Sequence, residues 1–288
     1  MTATQPQFDR SAVGQWSDPQ EFTVTQKRIA QFAAATNDHH PLHRSGELAP
    51  PVFAIVPAFW SLGAPLSSVV PGELLPMVLH GEHDFRYHRP IVPGLTLISS
   101  AAVTGFRTTS SGAVVAVTVR SSDAGSDELV VAQTATMFYR GGDAGEPAGE
   151  MPTPHSFPAV ARTSQPVAST SQRTDPDQTY RYAEAAGDPM PIHLDAEFAR
   201  NVGLPGIIVH GMCTLAFVSQ LIIETAALDD PRRLTRLAVR FSRVLQPEQE
   251  FTTAVWTPAG DHEHDEYVFE TRGPEGLILK DGLADVRR

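Results

Sequence analysis

The sequence predicts an α+β protein in which one plan is used twice. Three observations carry that reading. In each half a short amphipathic helix stops at an Asp-x4-His loop, a longer and more apolar helix follows, and a run of alternating strands comes last. Helices followed by consecutive strands favour separate helical and antiparallel layers over a βαβ sheet. Neither a Gly-x-Gly-x-x-Gly nor a Gly-Lys-Ser/Thr phosphate loop is present.

The repeat is visible in the first element of each half. Arg28-Ile-Ala-Gln-Phe-Ala-Ala-Ala-Thr-Asn-Asp38-His-His-Pro41-Leu-His43 mirrors Arg181-Tyr-Ala-Glu-Ala-Ala-Gly-Asp188-Pro-Met-Pro191-Ile-His193. Ile29, Phe32 and Ala33, and Tyr182 with Ala186, have helical spacing. Gly187 suits the left-handed residue that closes a helix. The second helices are expected at about 52–66 and 211–227. In the latter, Met212, Leu215, Phe217, Val218, Leu221 and Ile222 leave few polar positions, so the helix must be buried on most sides. Alternation marks strands around Val115–Val119 and Arg236–Phe241, with further candidates at 82–88, 95–104, 129–139, 252–257, 266–271 and 277–286.

Between the halves the chain is rich in Gly, Pro, Ser and Thr, and Pro147, Pro152, Pro154, Pro158 and Pro166 oppose regular helix. The expected organisation is a first domain over 1–140, a linker over 141–175 and a second domain over 176–288. At 288 residues and 41% apolar, the chain can bury two ordinary cores. A net charge of −11 argues against nucleic acid as a general partner. The lone Cys213 excludes an intrachain disulfide and a cysteine-built zinc site, and reads as packing inside the buried helix. The first 18 residues lack an apolar signal core, and no run of about 18 apolar residues is seen, so no membrane span and a cytoplasmic location are expected.

The chemistry concentrates in the second half. Asp188 and His193 stand five residues apart in a loop stiffened by Pro189 and Pro191, and Gly211 follows 18 residues after the histidine. A carboxylate and an imidazole can share one water as acid and base, and a helix start offers unpaired N–H groups to an oxyanion. Those parts suffice to add water across a double bond conjugated to a carbonyl. Both halves keep the Asp-x4-His, but laying Pro51–Pro57 over Pro205–Gly211 puts Pro57 where Gly211 stands. Proline cannot donate, and one lost oxyanion donor costs about 10²–10³ in rate. Catalysis is therefore assigned to the second half.

The residues Tyr182, Gly187, Asp188, Pro191, Ile192, His193, His210, Gly211 and Met212 resemble the signature of the hydratase-2 and MaoC-like dehydratase family. The pattern departs at Met190, where that family has asparagine, whose amide would hydrogen-bond around the dyad or substrate. The resemblance implies a double hot-dog fold, a long helix wrapped by an antiparallel sheet in each half, with the first half accommodating the acyl chain. It implies reversible hydration of trans-2-enoyl thioesters of coenzyme A or acyl carrier protein to (R)-3-hydroxyacyl thioesters, without cofactor or metal. Asp188, His193 and Gly211 are the catalytic candidates. Met190, His210, Ser219 and Arg240 are the substrate-binding candidates, Arg240 standing among Arg232, Arg233, Arg236 and Arg243 as contacts for phosphate. His210 can equally brace the loop, and Ser219 can equally bond a backbone carbonyl. The clusters Asp38–His43 and Asp261–Glu266 read as structural and solvated, not as metal sites. A homodimer is compatible with the family. Two other functions stay open: a non-catalytic acyl-thioester-binding subunit, which Met190 favours, and a hot-dog thioesterase.

Overall fold

The structure is a computed structural model, and it describes residues 7–257 and 265–288. Among these residues the strands are β1 (Gln20–Thr23), β2 (Val78–Tyr87), β3 (Thr96–Thr109), β4 (Gly112–Asp123), β5 (Leu129–Arg140), β6 (Ala148–Gly149), β7 (Ala168–Arg173), β8 (Leu234–Phe241), β9 (Glu250–Trp256), β10 (Asp265–Gly273) and β11 (Gly276–Val286). They form one sheet in the order β1-β3-β4-β5-β2-β8-β11-β10-β9-β7, with β6 added to β3. All of its pairings are antiparallel.

First-half strands therefore occupy one side of the sheet and second-half strands the other. The seam is β2 against β8, where Asp84 faces Ala238. Side chains alternate across each strand. On β8, Leu237 and Val239 turn inward and are fully buried, while Arg236 and Arg240 lie on the other face against Asp84 and Glu82 of β2.

Among the described residues three helices have two or more turns: α1 (Gln26–Ala35), α2 (Gln178–Ala186) and α3 (Gly211–Thr225). α1 is capped by Thr25, whose hydroxyl accepts from Arg28 N–H. α1 and α2 pack together through Phe32 and Tyr182, with ring centroids 5.7 Å apart. α3 is buried over nearly its whole length, as its apolar circumference requires. This is the double hot-dog arrangement, two helices each enclosed by its half of a shared sheet.

The first-half counterpart of α3, Pro51–Val69, is less regular. It breaks into short 3-10 and α turns, with Pro57 and Pro65 removing N–H donors from its ladder. Its 19 residues reach the length of a membrane span, with a mean hydropathy of 1.6 over the most apolar stretch, although Ser61, Gly63, Ser67 and Ser68 interrupt the apolar run. It is a core helix: 61% of its most apolar window is buried inside the protein.

The expected linker also needs correction. β6 and β7 both fall inside 141–175, and β7 pairs with β9 from Ala168 to Arg173 as an edge strand of the second half. Its residues, Ala-Ser-Thr-Ser-Gln-Arg, alternate half-buried and exposed but carry no large apolar side chain. An edge strand covered on one side needs none, so the stretch reads as loop.

Candidate active site

Each Asp-x4-His loop is launched by a left-handed residue at the end of the first helix. Gly187 has φ +75 and Asn37 has φ +51. Both geometries turn the next residue back, so that Asp188 N–H reaches Ala183 O and Asp38 N–H reaches Ala33 O. The aspartate then folds over the loop it opens: Asp188 Oδ1 accepts from Met190 N–H at 3.2 Å, and Asp38 Oδ1 from His40 N–H at 2.9 Å. Met190 thus occupies the position of His40, half-buried, and its backbone holds the carboxylate.

The loops then diverge. His43 Nδ1 lies 2.7 Å from Asp38 Oδ2, and both side chains are sealed from solvent. His193 instead points Nδ1 at Ile208 O, 2.8 Å away. A carbonyl can only accept, so Nδ1 carries the hydrogen and Nε2 is left with the lone pair. Burial lowers the His193 pKa to about 4, so the ring is neutral at ordinary pH. Burial also raises the Asp188 pKa to about 6, against the opposing pull of Met190 N–H. A pair of groups whose environments push a carboxylate up and an imidazole down is suited to holding one proton between them over the range between those two values.

His210 stacks on His193 with centroids 3.7 Å apart and rings 25° from parallel. Its Nε2 donates to Asp188 O at 3.3 Å and stands 3.9 Å from Asp188 Oδ2. It therefore braces the aspartate, the structural alternative that the sequence left open for it. Asp188, His193 and His210 bring one ligand atom each within 4.8 Å of one another, a set able to hold either a water or a transition-metal ion.

α3 begins at Gly211, and its first intrahelical bond is made by Thr214 N–H to His210 O, at 3.1 Å. The N–H groups of Gly211, Met212 and Cys213 precede that bond and face out of the helix start. Gly211 is demanded by proximity: a Cβ there would sit 2.8 Å from Cδ1 and Cε1 of Phe241. Phe241 packs in turn on His80, with centroids 4.9 Å apart. Trp60, 66% exposed, stands beside Gly187, its indole nitrogen 3.9 Å from where a Cβ would lie. Sequence reading missed Phe241, His80 and Trp60. Only the glycine at 211 hinted that something approaches the helix start.

The equivalence used to choose between halves is shifted by six residues. Leu48 N–H bonds Leu42 O as Ile208 N–H bonds Ile192 O, and Ala49 N–H bonds Ile91 O as Val209 N–H bonds Leu245 O. Pro50 and Pro51 therefore stand where His210 and Gly211 stand, and Pro57 lies inside the helix. A gap in the loop hid this register. The first half still has proline at its helix start, so it presents neither the bracing histidine nor the first donor.

Two substrate-binding candidates are bonded within the protein. Arg240 Nε donates to Glu82 Oε1 at 2.6 Å on the face of β8 opposite Phe241, because neighbours on a strand point to opposite sides. Ser219 is fully buried and bonds Ala216 O at 2.8 Å within its own helix. Of the cluster Asp261–Glu266, residues 261–264 lie outside the described residues.

Residues 158–273 match the model of the MaoC like domain, and residues 11–135 match the FAS1-like dehydratase domain region. The second half of the chain thus carries a MaoC-like dehydratase domain, and the first half a FAS1-like dehydratase region. It is 29% identical over 227 residues to peroxisomal enoyl-CoA hydratase 2 of Arabidopsis thaliana, covering 74% of this chain and 72% of that protein. It is 27% identical over 298 residues to 3-hydroxyacyl-thioester dehydratase Y of Mycobacterium tuberculosis, covering 96% and 98%. A MaoC-like dehydratase from Phytophthora capsici superposes with a TM-score of 0.80 at 21% identity, over 97% of this chain and 98% of that one.

Proposed function

We infer that this chain is a hydro-lyase that adds water to enoyl thioesters and removes it from 3-hydroxyacyl thioesters, with Asp188, His193 and the α3 start as its machinery. The relatives named as an enoyl-CoA hydratase and a 3-hydroxyacyl-thioester dehydratase support the reaction class. The observation that carries the residue assignment is the tautomer of His193. Its Nε2 lone pair stands free beside a carboxyl whose pKa is raised to about 6.

In hydration, His193 Nε2 takes a proton from water as the oxygen attacks C3 of the trans-2-enoyl thioester. Protonated Asp188 gives its proton to C2. Between these events charge gathers on the thioester oxygen, and the Gly211 N–H with the α3 dipole stabilises it. The imidazolium then returns its proton to the Asp188 carboxylate, so the pair ends as it began. Dehydration runs the same steps backwards. Acid–base help of this kind is worth roughly 10²–10⁴ in rate.

Division of labour follows from the helix starts. The second half presents Gly211 under Phe241, and the first presents Pro51, so we assign the acyl chain to the first half. Trp60 beside the loop and Phe241 against the helix start suit the substrate's hydrocarbon. Arg243, exposed and just past Phe241 beyond β8, replaces Arg240 as the contact for coenzyme A phosphates. The family resemblance gives the (R)-3-hydroxy product. Loss of enoyl absorbance from crotonyl-CoA, followed together with free-thiol release, tests the function. Hydration without thiol release is expected, and thiol release without hydration would make the chain a thioesterase.

A further inference from the structure

The internal repeat leads to a cavity that the reaction does not use. Ala49 N–H bonds Ile91 O and Val209 N–H bonds Leu245 O, so Ile91 and Leu245 hold equivalent places. Counting back from them pairs Arg89 with Arg243 and Tyr87 with Phe241. The strands agree, since Tyr87 is the last residue of β2 and Phe241 the last of β8. With Pro51 in the place of Gly211, the first-half counterpart of the thioester site is Pro51, Tyr87 and Arg89. All three line one cavity of about 260 Å³, bounded also by the start of β8 and the residue after β11. Neither Asp188, His193 and Gly211 nor their first-half relatives Asp38 and His43 line it.

The cavity has an apolar floor and a cationic rim. Pro51, Ile91 and Leu234 are buried in its wall, while Arg89, Arg232 and Arg287 border it and no Asp or Glu does, in a chain of net charge −11. Apolar walls with a few placed polar groups are the usual make-up of a small-molecule site, and guanidinium suits phosphate by its forked geometry. Arg89 donates to Glu128 at 2.7 Å and to Asp123 at 3.3 Å, and Arg232 to Asp230 at 3.2 Å. Arg287 is different. Its N–H bonds Arg233 O at 2.7 Å and its carbonyl accepts from Arg233 Nε at 2.8 Å, so its backbone is fixed, yet its exposed guanidinium has no partner among the described residues. Tyr87 adds a second unspent group. Its hydroxyl is buried without a hydrogen-bond partner, and Phe241 has none to match it. Burial, with the Asp84 carboxylate, holds that phenol well above its usual pKa, so it keeps a hydrogen to donate. A buried hydroxyl left unpaired is costly, and a ligand oxygen would satisfy it.

We propose that this cavity is a second, non-catalytic binding site for coenzyme A and its thioesters, with Arg287, Arg232 and Arg89 as phosphate contacts and the Tyr87 hydroxyl as donor to a carbonyl of the ligand. The choice of ligand rests on reading the α3 start as the thioester site, whose counterpart this is. Binding without turnover follows from Pro51, which has no N–H for an oxyanion, and from an Asp–His pair that stays outside the cavity.

The test is equilibrium dialysis of the full chain against coenzyme A, beside crotonyl-CoA hydration. Two coenzyme A molecules per chain should bind. Arg287→Glu alters an exposed side chain, and Tyr87→Phe installs the residue that the other half carries. The first should weaken one of the two sites by about 10-fold or more and the second by about two- to tenfold, as loss of one hydrogen bond does. Both should leave kcat/KM for hydration intact. Arg243→Glu should do the reverse, raising KM while the site that Arg287→Glu weakens stays filled. One coenzyme A per chain overturns the proposal, as does a second that Arg287→Glu and Tyr87→Phe leave at full strength. Displacement by pyrophosphate as readily as by coenzyme A overturns it too, leaving a bare anion site. Two bound molecules without any hydration would instead refute the hydro-lyase reading and leave this site standing.

Discussion

Gly211→Ala isolates the helix start from the rest of the site. The new Cβ would lie 2.8 Å from two ring carbons of Phe241, where carbon atoms settle at about 3.5–4.0 Å. Ring and helix must part by roughly 0.7 Å or more. The ring cannot retreat freely because His80 packs against it, at 4.9 Å between centroids. Overpacking of this kind costs about 1–3 kcal/mol. At roughly 2–4 °C per kcal/mol for a chain of this size, the melting temperature should fall by about 2–12 °C. Catalysis should suffer more than folding, since a displacement approaching 1 Å in a reacting assembly costs about 10²-fold. The assay is kcat/KM for crotonyl-CoA hydration beside a thermal melt, with Gly211→Ala/Phe241→Leu as the relief variant. That double change should recover part of the melting temperature. A Gly211→Ala enzyme with a lowered melting temperature and a full rate would refute the use of this helix start by the thioester. An unchanged melting temperature would refute the contact with Phe241.

Four further outcomes are expected. Asp188→Ala and His193→Ala should each lower hydration by about 10²-fold or more, while Asp38→Ala and His43→Ala should be far milder; equal losses would remove the distinction between halves. The active pair carries one proton, on Asp188 going one way and on His193 going the other. With His193 at about 4 and Asp188 at about 6, kcat/KM should fall below the first value and above the second, with the same bell in both directions; a rate still climbing past pH 8 would make ionised Asp188 the working base. Met190→Asn should raise hydration of a short, unbranched enoyl-CoA by roughly two- to tenfold, the worth of one hydrogen bond; no effect on any enoyl thioester would mean that residue 190 faces away from the substrate. Hydration should survive exhaustive chelation, and a rate restored only by added metal would place an ion in the reaction.

The elements legible in the sequence were those whose side chains decide their own environment. α3 announced itself by having apolar residues on every side, and β4 and β8 by alternation of period two. The Asp-x4-His loops were legible because the repeat could be read twice. β7 was not, since an edge strand of serine and threonine takes its place from the partner it pairs with. Arg240 was misplaced for a related reason: periodicity says that Arg240 and Phe241 face opposite ways, but not which way is inward, and only the pairing of β8 with β2 decides that. The contrast between His43 and His193 depends on a carbonyl fifteen residues from His193 and was beyond any local reading.

The seam between β2 and β8 has a consequence for how such a chain can change. Were the same plan assembled from two separate identical copies, every substitution would appear twice, once on each side of the dyad axis. A proline at one helix start would then silence both reaction centres together. Covalent fusion removes that constraint while the continuous sheet keeps the old geometry, so Pro50-Pro51 and His210-Gly211 can coexist across an axis that still relates their backbones. One centre is thereby released from the demands of turnover, and its residues can change as far as the shape and the acyl-chain space on which the other depends allow.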